Sequence, residues 1–185
     1  MRTFLALDIS DRIKKEILNQ TSEIYCGKNN ELKWVTEENL HITLQFIGEV
    51  EPSAIPEIVQ FLHNAFNELG KIKFKFSQIQ LIPAKKPRLG WILLETENTE
   101  ILKNIRGFRK FLQQLGYETE NRKQKFHVTL FRIKKKLPDL LTNRILTTEL
   151  KKMSFKVSSA TLYESVLRPE GPNYYEIAKL KFTKE

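Results

Sequence analysis

Two four-residue stretches constrain this chain more than anything else in it: His41-Ile42-Thr43-Leu44 and His127-Val128-Thr129-Leu130. Each reads His, apolar, Thr, Leu. In a β-strand alternate side chains leave opposite faces. His41 and Thr43 therefore share one face while Ile42 and Leu44 share the other, and the second stretch repeats the arrangement. One face of each strand is built for a core; the other carries an imidazole beside a hydroxyl. Two of the chain's three histidines are spent in this pattern.

The pairing suggests a chemistry. Cleaving a phosphodiester needs a base for the nucleophile's proton and an acid for the leaving oxygen. Imidazole, with an ordinary pKa of ~6.5, does either near neutrality. Two imidazoles on opposite sides of one phosphorus suit an in-line displacement. A Thr hydroxyl two residues along can donate to a non-bridging oxygen, where charge accumulates. The scheme calls for no metal or cofactor, and none is expected.

Arg2-Thr3-Phe4-Leu5-Ala6-Leu7, Trp34, Glu38 to Val50 around the first motif, Arg88-Leu89-Gly90-Trp91, Phe126 to Arg132 around the second, and Gly171-Pro172-Asn173-Tyr174-Tyr175 together resemble the two-histidine phosphoesterases. Within that superfamily they are similar to the RNA 2',3'-cyclic phosphodiesterases, also called 2'-5' RNA ligases. The resemblance runs nearly end to end. It implies His41 as proton donor, His127 as proton acceptor, and Thr43 and Thr129 as ligands of the phosphate oxygens. It also implies a basic residue after the second motif, here Arg132. Strict alternation puts Arg132 on the face opposite His127; a bulge would redirect it. Many members have Pro before the second His, where this chain has Phe126, a change expected to alter how the chain enters the strand rather than the chemistry.

The expected substrate is RNA with a 2',3'-cyclic phosphate end, including ends derived from tRNA, opened to a 2'-phosphate. A 5'-hydroxyl in place of water would give ATP-independent 2'-5' ligation. Two alternatives stay open: a phosphodiesterase for small cyclic-phosphate nucleotides or 2'-5' oligonucleotides, and a non-catalytic RNA- or nucleotide-binding module on the same fold.

Charge favours a polyanionic partner. Lys and Arg number 31 against 22 Asp and Glu, a formal net charge of +9, and such a surplus steers polyanions toward the surface. No apolar run is long enough for a membrane span. The N-terminus reads as a first strand rather than a secretory signal. Cys26 is the only cysteine, so neither an internal disulfide nor a Cys-based zinc site is expected. The reading is a cytoplasmic monomer.

Along the chain, strands are expected at Arg2–Asp8, Lys33–Val35, Leu40–Gly48, Ile72–Phe76 and Leu89–Thr96, the second motif strand lies within Lys123–Ile133, and a final hairpin-like pair is expected at Phe155–Val166 and Tyr174–Phe182 around a turn at Arg168–Asn173. Helices are expected from Ser10 to about Tyr25, Ser53–Leu69, Thr99–Leu115 and Asp139–Lys151, and a loop at Gly27–Asn30. His63 lies beside the apolar stripe of the second helix with no ligand partner at metal spacing, and reads as a surface histidine. Trp34 either packs against the site or fills the core, and the packing role is favoured because buried aromatics usually pack. Lys71, Lys73 and Lys75 alternate with Ile72, Phe74 and Phe76, and either guard an edge strand or form an RNA-backbone track; the sequence does not tie them to the cleft. The loop Pro83 to Arg88 either offers Lys85, Lys86 and Arg88 as RNA contacts or is an ordinary turn. The two halves match in outline, with 86 residues between the motif histidines. This predicts an α+β fold in a duplicated two-lobe architecture: antiparallel sheets with outer helices, and the two motif strands facing a central cleft. Residues 1–185 are expected to form a single two-lobed domain, each lobe contributing one motif.

Overall fold

A computed structural model describes residues 1–25, 31–120, 123–169 and 171–184. Cys26 and the expected loop at Gly27–Asn30 lie outside the described residues. Four α-helices are present among them: α1 (Asp11–Gln20), α2 (Ile55–Phe66), α3 (Thr99–Gln114) and α4 (Asp139–Thr147). The strands are β1 (Arg2–Asp8), β2 (Leu32–Trp34), β3 (His41–Glu49), β4 (Ile72–Ile82), β5 (Leu89–Glu95), β6 (His127–Ile133), β7 (Ser154–Val157), β8 (Ser159–Arg168) and β9 (Gly171–Lys181).

These strands make one antiparallel sheet in the order β7-β4-β5-β6-β3-β1-β8-β9, with β2 paired to the far end of β6. The fold is the expected α+β, two-lobed kind. Its two halves meet where β3 and β6 pair, with Ile42 across from Val128. Both residues are fully buried. One face of the sheet carries the core: Ile72 and Phe74 on β4, Ile92 and Leu94 on β5, Val128 and Leu130 on β6, and Leu5 and Leu7 on β1. The helices cover that face, α2 against β9, α3 against β3 and α4 against β4. Their apolar residues recur at helical spacing, as the buried Ile58, Leu62 and Phe66 of α2 and Ile101, Ile105, Phe108 and Leu112 of α3 do. The opposite face is left open. Among the described residues no helix is long and apolar enough to cross a membrane.

Several boundaries differ from the sequence reading. The strand beginning at Ile72 runs on to Ile82, because a bulge between Phe76 and Ile79 carries the alternation across Ser77 and Gln78. The expected strand Phe155–Val166 is two strands serving opposite ends of the sheet. Val157 pairs with Ile72 and Ala160 pairs with Leu7, so the chain changes partners at Ser158, and the sheet curls to bring β7 and β8 together. The first and last helices are shorter than expected, ending at Gln20 and Thr147. β6, expected within Lys123–Ile133, lies there and begins at His127 itself. The two halves of the chain are also interleaved: β8 and β9, from the C-terminal half, complete the sheet half that holds β1 and β3.

Candidate active site

The motif strands are neighbours. With Ile42 opposite Val128 in an antiparallel pair, Thr129 lies toward His41 and Thr43 toward His127. All four side chains are half-buried on the open face, while Ile42, Leu44, Val128 and Leu130 are in the core. The apolar positions of each motif thus anchor the strands, and their burial fixes the register that brings the polar positions together.

Each strand then bulges. In β3 the pairing with β1 shifts between Thr43 and Gln45; in β6 the pairing with β5 shifts between Thr129 and Phe131. Leu44 and Gln45 are both buried, as are Leu130 and Phe131. The fifth residue after each histidine therefore returns to the open face. That residue is Phe46 in β3 and Arg132 in β6, both exposed. Strict alternation misplaces Arg132; the bulge puts it on the same face as His127. The turn of Phe131 into the core needs space across the sheet, which Gly90 supplies: a Cβ there would run into the Phe131 ring.

The two imidazoles are held alike. His41 Nδ1 lies 2.7 Å from the carbonyl of Asn39, and His127 Nδ1 lies 2.9 Å from that of Lys125. A carbonyl only accepts, so Nδ1 carries the proton in both rings and Nε2 is left as the exchangeable atom of a neutral imidazole. His41 Nε2 lies 3.0 Å from Thr43 Oγ1. Around His41 are the rings of Phe4 (5.1 Å between centroids) and Tyr174 (5.4 Å, edge-on). Burial pushes the His41 pKa down to about 4, opposed by the Asn39 carbonyl and reinforced by the positive charge of His127. His127 instead stacks on Trp91, with centroids 3.9 Å apart. Trp91 Nε1 in turn donates to Gln80 Oε1 at 3.2 Å.

Asp8 lies across from His41 in the β1–β3 register. Its carboxylate accepts from Ser159 at 2.7 Å, Thr161 at 2.9 Å and Tyr163 at 3.1 Å, with the Lys179 ammonium at 3.6 Å. Burial and this carboxylate push the Tyr163 phenol up to about 12. Asp8 is thus a fixed negative charge that favours the protonated form of His41. A second network joins the two motifs from beneath. Arg109 of α3 donates to Gln45 Oε1 at 2.6 Å and to Gln124 Oε1 at 2.7 Å, and Gln124 donates to the Thr43 carbonyl at 3.3 Å.

Of the basic residues, Arg132 lies across from Lys33 of β2 and, with Arg2, is close enough to Tyr174 to oppose the rise that burial imposes on its phenol. Lys85, Lys86 and Arg88 are exposed in the loop joining β4 to β5. That loop abuts the end of β6, where the Ile133 amide donates to the Arg88 carbonyl at 2.8 Å. It stands beyond Arg132, away from the histidines. His63 is exposed on α2, remote from the motifs, as expected. Trp34 packs edge-on against the core residue Phe131, also as expected. Sequence reasoning gave no role to Trp91, Asp8 or Arg109. Trp91 was accessible in principle, since alternation in Leu89–Glu95 leaves it opposite the buried Ile92; Asp8 and Arg109 acquire their partners only from distant strands.

The chain is similar to known proteins over nearly its whole length. Residues 7–92 match the family model described as LigT like phosphoesterase. An RNA 2',3'-cyclic phosphodiesterase of Methanocaldococcus jannaschii is 34% identical over 97% of this chain and 99% of its own length. The one from Thermotoga maritima is 31% identical over 98% and 96%. Among solved structures, the Thermus thermophilus protein TT0787 superposes over 100% of both chains with a TM-score of 0.84 at 23% identity. E. coli LigT complexed with 3'-AMP does so over 99% and 98%, with a TM-score of 0.78 at 18% identity; these two likenesses speak to the fold. With full-length relatives above 30% identity, the chain belongs to the LigT-like phosphoesterases, the family of the RNA 2',3'-cyclic phosphodiesterases.

Proposed function

We propose that this protein opens 2',3'-cyclic phosphate ends of RNA, among them ends of tRNA origin, to 2'-phosphates. The observation that carries the reading is the matched pair of imidazoles, each fixed through Nδ1 and each offering Nε2 on one face beside a Thr hydroxyl. Binding alone has no need of a matched acid and base.

In the proposed reaction His127 Nε2 takes a proton from water as its oxygen attacks phosphorus. The P–O3' bond breaks, its electron pair stays on O3', and His41 Nε2 delivers a proton there. The acid must therefore start protonated. In the free protein burial holds His41 near 4, and the bound phosphodiester anion, with Asp8 alongside on β1, supplies the negative charge that restores its proton. Thr43, Thr129 and Arg132 hold the non-bridging oxygens, where negative charge builds. Lys85, Lys86 and Arg88 steer the RNA chain at the Arg132 end. The imidazoles supply both proton transfers, so no step uses a metal. With a 5'-hydroxyl in place of water as the nucleophile, His127 takes its proton, the P–O5' bond forms as P–O3' breaks, His41 protonates O3', and the product is a 2'-5' linkage made without ATP. Residues 1–185 act as one two-lobed domain and as a monomer, in the cytoplasm.

The test is turnover of a short RNA with a 2',3'-cyclic phosphate end in EDTA, with the product phosphate located by mass and phosphatase sensitivity. A 2'-phosphate is expected. A 3'-phosphate reverses the leaving group and the two histidine roles; no turnover of the RNA, with turnover of a cyclic mononucleotide, replaces the RNA substrate with a small one.

A further inference from the structure

The open face of the sheet extends well beyond the histidines, and its outer part is basic. Leu93 of β5 lies across from His127, and two positions on Glu95 lies across from Lys75 of β4. Lys73 follows on the same face and lies directly across from Lys156 of β7. Phe74, Phe155 and Ile72, which alternate with these lysines, are all core residues. The lysines therefore stand on the same face of the same sheet as His127. With ~4.8 Å between strands and ~3.4 Å per residue, Lys75 and Lys73 lie roughly 12 Å and 17 Å from His127 across the sheet.

We infer that Lys73 and Lys156, with Lys75, form a track for the sugar-phosphate backbone of the RNA beyond its terminal nucleotide. This rests on the reading of the site as an RNA end-processing centre. Three observations favour it over a simple solubility role. Lysines that guard a sheet edge belong on the edge strand; Lys156 qualifies, but β4 is paired on both sides and needs no guard. Two like charges directly opposite each other on a sheet are destabilising, and Lys73 and Lys156 have no ion-pair partner among the described residues to offset this. Lys75 is partly balanced, at 3.8 Å from Glu97. Among the described residues the other half of the open face lacks such a pair: Lys179 there is tied to Asp8. At their distance the track lysines cannot touch the reacting phosphorus. They act only on a substrate longer than one nucleotide, so the track selects oligomeric RNA over cyclic mononucleotides.

The experiment compares wild type with the double variant Lys73→Gln/Lys156→Gln and with Lys103→Gln/Lys110→Gln, which removes the same charge from the exposed side of α3. Replacing the opposed lysines relieves a repulsion, so folding is not threatened. Binding of a fluorescent 3'-phosphorylated octaribonucleotide is measured by anisotropy over a salt series, and turnover is measured on a cyclic-phosphate octamer and a cyclic mononucleotide. For the track variant Kd is expected to rise at least about fivefold near 0.1 M salt, with the salt slope smaller by about one. KM for the octamer rises with it, and mononucleotide turnover is unchanged. An unchanged Kd, an equal rise in the α3 variant, or no octamer binding by wild type overturns the track. Absence of turnover by wild type, with the Kd difference intact, overturns the proposed reaction and leaves the track standing.

Discussion

His41 and His127 lie on adjacent strands and each gives its Nδ1 proton to the carbonyl two residues earlier, so the two rings are presented to the cleft in the same tautomer. Neither Nε2 holds a proton in the neutral form. Replacing either histidine by Ala is expected to lower kcat by at least ~10²-fold, and Gln, which cannot exchange protons in this range, should do no better. Single-turnover kinetics on a cyclic-phosphate oligomer check this; near-normal turnover in either variant would sink the two-histidine mechanism.

The burial of His41 makes folding sensitive to mild acid. The unfolded imidazole binds a proton at about 6.5, the folded one only near 4. Between those values the unfolded chain holds more protons, so stability falls as pH drops from about 6.5 to 4. Thermal melts across that window should show a steeper loss for wild type than for His41→Gln. Equal slopes would mean that His41 carries no such penalty.

A bound phosphodiester should move the same group the other way. If His41 is the acid, the basic limb of kcat, which reports the complex, should lie at higher pH than that of kcat/KM, which reports the free enzyme. Coincident limbs would place the proton donor elsewhere. Asp8→Asn should shift both limbs to lower pH, because it removes a negative charge that favours the imidazolium.

Gly90 is predicted to be intolerant. A methyl group there collides with the Phe131 ring, and overpacking of this kind typically costs about 1–3 kcal/mol. Gly90→Ala should lower Tm, and adding Phe131→Leu should recover part of the loss. Because Phe131 is one of the two residues the β6 bulge turns inward, the single variant should also weaken phosphate binding through Arg132.

Arg109 links Gln45 and Gln124 under both motifs. Arg109→Met leaves these partners short of a donor, at a cost of about 1–3 kcal/mol. The expected kinetic signature is a fall in kcat of about tenfold with KM little changed, since the relative placement of the two motifs is disturbed more than substrate contact. An unaltered kcat in a destabilised variant would confine Arg109 to a structural role.

The motif histidines and threonines were legible because alternation in a strand is a local rule, and Ile42, Leu44, Val128 and Leu130 obey it. Arg132 was not, because a bulge is set by what lies across the sheet, here Gly90 and Trp91, rather than by the strand's own residues. The boundary at Ser158 escaped for a similar reason: Phe155–Val166 reads as one strand, and only its partners, Ile72 on one side and Leu7 on the other, divide it. The lysines of β4 were visible as a pattern, but their relation to His127 needs the register of two intervening pairings. Asp8 looked like the polar end of a strand until β8 arrived with three hydroxyls.

That late arrival bears on synthesis. The hydroxyls that fix Asp8 beside His41 come from residues 159 to 163, and Tyr174 follows them. A nascent chain carrying both histidines thus still lacks the strand that orders the ground around His41. Contacts spanning some 150 residues are slow to form, so competence should appear abruptly and late, as the last strands dock. Incomplete products of translation, for all that they contain both motifs, would be poor at touching the cell's RNA.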